Sequence, residues 1–170
     1  MTVIEIRPAR PAELAAVARL RWRWVAEQDG LPAGGRDAFV RDFAAWAREH
    51  AETHRCLIAV RDGEVIGMAF LAVTARVPTP TAVSRAAGDV QSVYVVPEAR
   101  DSGVGGRLID ATLALAAELG LERVTVHSST RAIPAYERHG FARSPHLLQA
   151  RLSEPGASPV RNNRSRTAPR

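Results

Sequence analysis

Gly103, Gly105 and Gly106 crowd the start of a stretch in which Val104, Leu108, Ala111, Leu115 and Leu119 recur three or four residues apart, the spacing of an amphipathic helix. Glycine is a poor helix former, so its abundance in a first turn serves something other than helix stability. An anion is the natural candidate. The N–H groups of a helix's first turn point outward without partners, and glycines without Cβ let a phosphate approach several of them at once. Arg100 adds charge nearby. Two common phosphate loops do not fit the letters. A P-loop needs GxxxxGK[ST], and no lysine follows; a dinucleotide turn needs GxGxxG, whose third glycine position is Leu108 here. What remains is RxxGxG, written Arg100, Asp101, Ser102, Gly103, Val104, Gly105. The same letters would suit a plain strand-to-helix turn with glycine for tight packing. The strand directly before them favours the anion.

That strand is the β-branched and aromatic run Val90, Val93, Tyr94, Val95 and Val96, closed by Pro97, which cannot donate to a ladder. Past the helix, Gly120 caps and LERVTVHSS reads as another strand. Strand, helix and strand at this spacing form a parallel crossover, so residues 90–96 and 123–128 should share a sheet. Upstream, CLIAV and VIGMAFLAV flank a turn containing Asp62 and Gly63, a hairpin signal. VIEIRPA, with Ile4 and Ile6 alternating against Glu5 and Arg7, is a first strand. Two helices lie between. Pro11 and Glu13 open one, with Leu14, Val17, Ala18, Leu20, Trp24 and Val25 on one arc; after GLPAGG, Phe39, Phe43, Trp46 and His50 mark the other. Residues 74–88 are expected as a loop and HLLQARL as a final strand. The chain thus reads as one α/β domain over residues 1–152, with 153–170 expected to be a disordered, arginine-rich tail.

Composition narrows the chemistry further. Every one of the 23 basic residues is arginine, which excludes a Schiff-base lysine. The formal charge is +5, but Arg161, Arg164, Arg166 and Arg170 against Glu154 put +3 of it in residues 153–170. A folded body at +2 argues against a dedicated nucleic-acid groove. The five histidines lack partners at metal-ligand spacing, so no metal is expected. Cys56, the single cysteine, lies in an apolar strand and reads as a small core residue. No apolar run approaches the ~20 residues that span a bilayer, and MTVIEIRPAR is charged where a signal peptide would be apolar, which points to the cytoplasm.

The segment VYVVPEARDSGVGGRL closely resembles the signature of the GNAT superfamily of acetyl-CoA-dependent N-acyltransferases, [RQ]xxGx[GA] after a strand VYVxPExR. RAIPAYERHGFAR resembles the family's second motif, AxxxYExxGF, with Ala132, Tyr136, Glu137, Gly140 and Phe141 in place; Ser129 stands where many members have asparagine. The resemblance covers about residues 55–145. It implies a mixed, mostly antiparallel sheet flanked by helices, in which two parallel strands splay apart to admit the pantetheine arm of acetyl-CoA. The arm would pair with the backbone of Val93, Tyr94 and Val95, the pyrophosphate would sit on the amides of residues 100–106, and Ser129 would be a further cofactor contact. An amine would then attack the thioester directly, with a strand N–H near Val93 or Val95 holding the oxyanion. Tyr136 would protonate the leaving thiol.

The acceptor amine is mostly protonated at neutral pH, so a base must take its proton. His127, at the end of the second parallel strand, has the right intrinsic pKa; Gln91 cannot titrate, and Asp89 lies at the strand entrance. Arg21 falls inside the apolar arc of its helix. Either it snorkels to water past the helix end, or, with Trp22 beside it and Gln91 on the strand, it lines the acceptor pocket. The expected acceptor is an amine of a small molecule or peptide terminus, and a homodimer is compatible with the sequence. Two other readings use the same features: an acyl-CoA-binding regulatory module without turnover, and a nucleic-acid-associated protein led by its arginine tail.

Overall fold

The structure, a computed structural model, describes residues 3–30, 34–150 and 152. The expected disordered tail, residues 153–170, lies outside the described residues. One five-stranded sheet runs in the order β1 (Ile4–Pro8), β2 (His54–Arg61), β3 (Glu64–Ala75), β4 (Ala86–Val95), β5 (Val124–Val126). Neighbours are antiparallel except β4 and β5, which are parallel. The hairpin between β2 and β3 turns on Asp62 (φ 52) and Gly63 (φ 82), the two left-handed residues its tight turn requires.

Helices cover both faces. Met68 pairs with Tyr94 across β3 and β4, so their side chains share a face, and Phe70 joins them by the two-residue alternation. On that face α1 (Leu14–Asp29) stacks Trp24 on Tyr94 at 5.9 Å, and α2 (Arg36–Glu49) sets Phe43 edge-on to Phe70. The opposite face receives α3 (Val104–Glu118). A Cβ at Gly67 would lie 3.1 Å from Leu108, so the glycine lets α3 sit close to the sheet. Leu108 is fully buried there; closing α3 onto the sheet is worth about 1.5–3 kcal/mol for such a side chain.

Three expectations are corrected. The 74–88 loop is shorter, because Thr74 pairs with Ala87 and Ala75 with Ala86, leaving residues 76–85 between strands. The strand read in 123–128 pairs only over Val124–Val126. HLLQARL forms no strand among its described residues. Leu147, Leu148 and Leu152 are 62%, 90% and 92% exposed, so nothing buries the alternation that suggested it, and three-residue β5 offers a short edge to pair with. Instead α4 (Ile133–Arg138) is the last regular element.

Pro11 opens a 3₁₀ turn that leads into α1, and Glu13 ties it to β1. Arg7 donates to Glu13 at 2.8 and 2.6 Å and the Arg10 N–H donates at 2.8 Å, which hold the Glu13 carboxyl at about 2 against an ordinary 4.5. A depressed carboxyl stabilises fully above its unfolded value and loses that contribution as pH falls through its folded one. Glu13→Gln should therefore flatten the fall in melting temperature between those two pH values. An unaltered acid limb would show that the clasp contributes nothing.

Candidate active site

β4 and β5 pair only across Gly88–Val124, Asp89–Thr125 and Val90–Val126. β4 then continues to Val95 with β3 on one side and no strand on the other, so the two strands part. A bulge marks the parting. One residue of β3, Ala69, faces two of β4, Ser92 and Val93, and Ser92 takes a left-handed φ of 55, which costs about 1–2 kcal/mol for a residue with a side chain. The strand segment Val93–Val95 thus borders a gap on the side away from β3, where Val95 O already accepts from Arg100.

At the end of that gap stands the glycine turn. Asp101 (φ 60) and Gly103 (φ 79) are left-handed, and turns with such residues can gather neighbouring amides into a concavity able to take an anion. Arg107 donates to Gly103 O at 3.1 Å and begins the helical ladder, so the amides before it point outward. The space above is open. A Cβ on Gly103 would meet nothing within 4 Å, and one on Gly105 would meet only Val95 Cγ2, at 3.9 Å. Gly106 has a different reason to be glycine: a Cβ there would fall 2.5 Å from His139 Nε2. Ser102 turns its hydroxyl to Ala99 O at 2.7 Å, leaving its backbone to the turn.

Arg100 is engaged within the protein. Nε donates to Val95 O at 3.0 Å, Nη2 donates to Glu27 at 2.8 Å, and the guanidinium lies over the Tyr94 ring. Its charge reaches the turn already shared with Glu27. Tyr94 points away from the gap into the α1 layer, where its hydroxyl donates to Glu27 at 2.7 Å; burial, then that carboxylate, push its pKa up to about 12. Only its backbone borders the gap.

Tyr136 and His127 come together. Both line a cavity of about 640 Å³ bounded by β5, α4 and residues 141–147. The Tyr136 ring packs edge-on to Phe141 at 5.3 Å, burial raises its pKa, and its hydroxyl has no hydrogen-bond partner among the described residues. His127 is exposed. Ser129, also exposed, accepts the Ala132 N–H with its carbonyl. Gln91 projects beside Asp89 and donates to it at 2.9 Å; Thr125 donates to the other oxygen at 3.1 Å.

On α1, Arg21 lies 4.6 Å over the Trp24 ring, where burial lowers its pKa, and no carboxylate pairs with it among the described residues. Trp22 packs on Phe39 of α2 at 5.5 Å, within the helix pair. The Cys56 thiol is pushed up to about 12 by burial, which suits a core residue and not a nucleophile. No group of three or more His, Cys, Asp or Glu placed to hold a metal occurs among the described residues, and no helix there is long and apolar enough to cross a membrane.

Sequence reasoning missed Glu27, Ser92 and the pair Asp110–His139, in which Nδ1 lies 2.6 Å from Oδ1 and fastens α4 to α3. Glu27 meets partners 67 and 73 residues away, so no local spacing announces it. Ser92 lacks the glycine or asparagine that would signal a left-handed residue.

A model of the Acetyltransferase (GNAT) family matches residues 16–141. An uncharacterised N-acetyltransferase, YhfO of Bacillus subtilis, is 31% identical over 144 residues, covering 81% of this chain and 89% of the relative. Glucosamine 6-phosphate N-acetyltransferase of Trypanosoma brucei brucei is 33% identical over 90 residues, covering 53% and 58%. Among solved structures, a predicted acetyltransferase of Clostridium acetobutylicum crystallised with acetyl-CoA superposes with a TM-score of 0.69 at 19% identity, covering 88% of this chain and 96% of that one. The chain belongs to the GNAT family of acetyltransferases: it is an N-acetyltransferase whose co-substrate is acetyl-CoA.

Proposed function

We propose that this acetyltransferase works in the cytoplasm and moves acetyl directly from acetyl-CoA to a primary amine of a small molecule or peptide terminus, without a covalent enzyme intermediate. The observation that carries the reading is the unpaired end of β4 leading to a glycine turn whose outward amides face open space. Pantetheine amides would pair with Val93, Tyr94 and Val95, and the pyrophosphate would accept from the turn's N–H groups. The amine nitrogen bonds to the carbonyl carbon while a strand N–H near Val93 or Val95 holds the oxyanion. The C–S bond then breaks as the Tyr136 hydroxyl donates a hydrogen bond to the developing thiolate, which takes up a proton through it from solvent, and His127 takes the proton the amine gives up. The relative that acts on an amino sugar phosphate supports an amine acceptor.

Arg21 is the residue proposed for an acidic group of the acceptor, since its guanidinium is half-buried and unpaired among the described residues. Arg21→Ala should raise the KM of acidic acceptors about tenfold, the loss of one charge-assisted hydrogen bond, and leave acetyl-CoA affinity alone. A fall in stability with unaltered kinetics would give Arg21 a packing role. The reaction itself is tested by following free thiol across a panel of amines, aminoglycosides, amino acids and peptides. Cofactor binding without thiol release from any of them would leave an acyl-CoA-binding module.

A further inference from the structure

Strand alternation places Thr74, Arg76, Arg85, Ala87, Asp89, Arg123 and Thr125 on one face of the sheet, around a cavity of about 460 Å³ that they line at the start of β4. Small Ala87 and Gly88 leave room for it. Its charges do not balance. Glu122 receives Arg85 Nη2 at 2.9 Å and Nε beside it, and Arg85 also donates to Val77 O, so that arginine is satisfied. Arg76 is not: its Nε is buried without a hydrogen bond, and the nearest Glu122 oxygen is 3.5 Å away. Arg123 has no ion pair or side-chain hydrogen bond among the described residues. Asp89 is held by the neutral donors Gln91 and Thr125. The Arg76 Nη groups make no hydrogen bond among the described residues either and, unlike Nε, are open to solvent, so it is these that an incoming acceptor oxygen would meet.

We infer that this hollow is an anion subsite, in which Arg76 and Arg123 hold a phosphate or carboxylate of the acceptor while its amine reaches the gap beyond Gln91. The inference rests on the acetyl-transfer reading, adds the acceptor's charge, and is the alternative to Arg21 as the group that holds it. It also sets a length. Gly88 donates to Arg123 O, so Arg123 stands beside the start of β4, and from Ala87 to Gln91 the strand rises about 13 Å. Less the reach of the arginine side chains, this favours an acid several bonds from the amine over an α-amino acid.

Matched pairs test it with CoA saturating, so that the glycine turn is filled: glucosamine 6-phosphate against glucosamine, and a dipeptide ending in glutamate against its fully amidated form. Calorimetry should show the acidic member of at least one pair binding about tenfold tighter or more, and which pair does so tells phosphate from carboxylate. Arg76→Ala with Arg123→Ala should erase that preference and leave CoA affinity unchanged; the single exposed variant Arg123→Gln should reduce it. No preference in either pair, or one that survives the double variant, overturns the subsite. A preference lost in Arg21→Ala but kept in the double variant also overturns it and moves the acid to α1. Preferential binding without thiol release upholds the hollow and removes the proposed transfer to that amine.

Discussion

Gly105→Val should give a folded protein that no longer binds acetyl-CoA. Gly105 lies in the first turn of α3 with ordinary helical φ, so a side chain there meets no backbone penalty, and valine is a better helix former than glycine by a few tenths of a kcal/mol. Its Cβ would touch only Val95 Cγ2, at 3.9 Å. The fold should therefore tolerate it. The branched side chain instead occupies the open space above the amides, between the turn and the end of β4, where the proposed pyrophosphate site lies. Gly103 would be a poorer probe, because its φ of 79 strains any replacement. In a thermal shift assay the variant should melt at or slightly above the wild-type temperature and gain nothing from acetyl-CoA. Unchanged cofactor affinity would move the phosphates away from this turn.

Tyr136→Phe should lower kcat by about a hundredfold or more, within the range for loss of a general acid, with little change in acetyl-CoA Kd. A thiol with a pKa near 8.5 against ~10 for tyrosine makes complete proton transfer uphill by ~2 kcal/mol, and burial of Tyr136 raises that further. A hydrogen bond to the developing thiolate, with solvent replenishing the proton, is enough. The variant is clean. The Tyr136 hydroxyl has no protein partner among the described residues, so its removal breaks no internal bond, and the phenylalanine ring keeps the contact with Phe141. If kcat held within a factor of about three, water would be the acid and Tyr136 a packing residue.

Both predictions start from residues that the sequence already singled out, and the reason is local. A proline-stopped strand followed by RxxGxG fixes a strand end, a left-handed turn and a helix start within a few residues of one another, so Gly103, Gly105 and the backbone of Val93–Val95 were legible as letters. The two strands flanking α3 had to be parallel because the crossover leaves no other arrangement, and Asp62 with Gly63 had to turn a hairpin. Spacing was less reliable where no partner enforced it: HLLQARL alternates as a strand should, but the described part of it stands beside a three-residue edge and stays exposed.

The tertiary structure alone decided which groups are already spoken for. Arg100 looked like a cation awaiting phosphate, and only the packing of α1 against β4 brings Glu27 to it across 73 residues. Gly106 looked like a third place for close anion approach, until α4 folded back and set His139 against it. The bulge at Ser92 has no sequence signal because the strain is imposed by neighbours in the sheet, and the arginine hollow arises from β3, β4 and β5 presenting the same pleat. The sequence by itself determined the strand end, glycine turn and helix start proposed to cradle the cofactor, since those amides belong to one continuous stretch. The surroundings proposed for the acceptor come from strands and helices far apart in the chain, whose side chains share a face only once the sheet has formed.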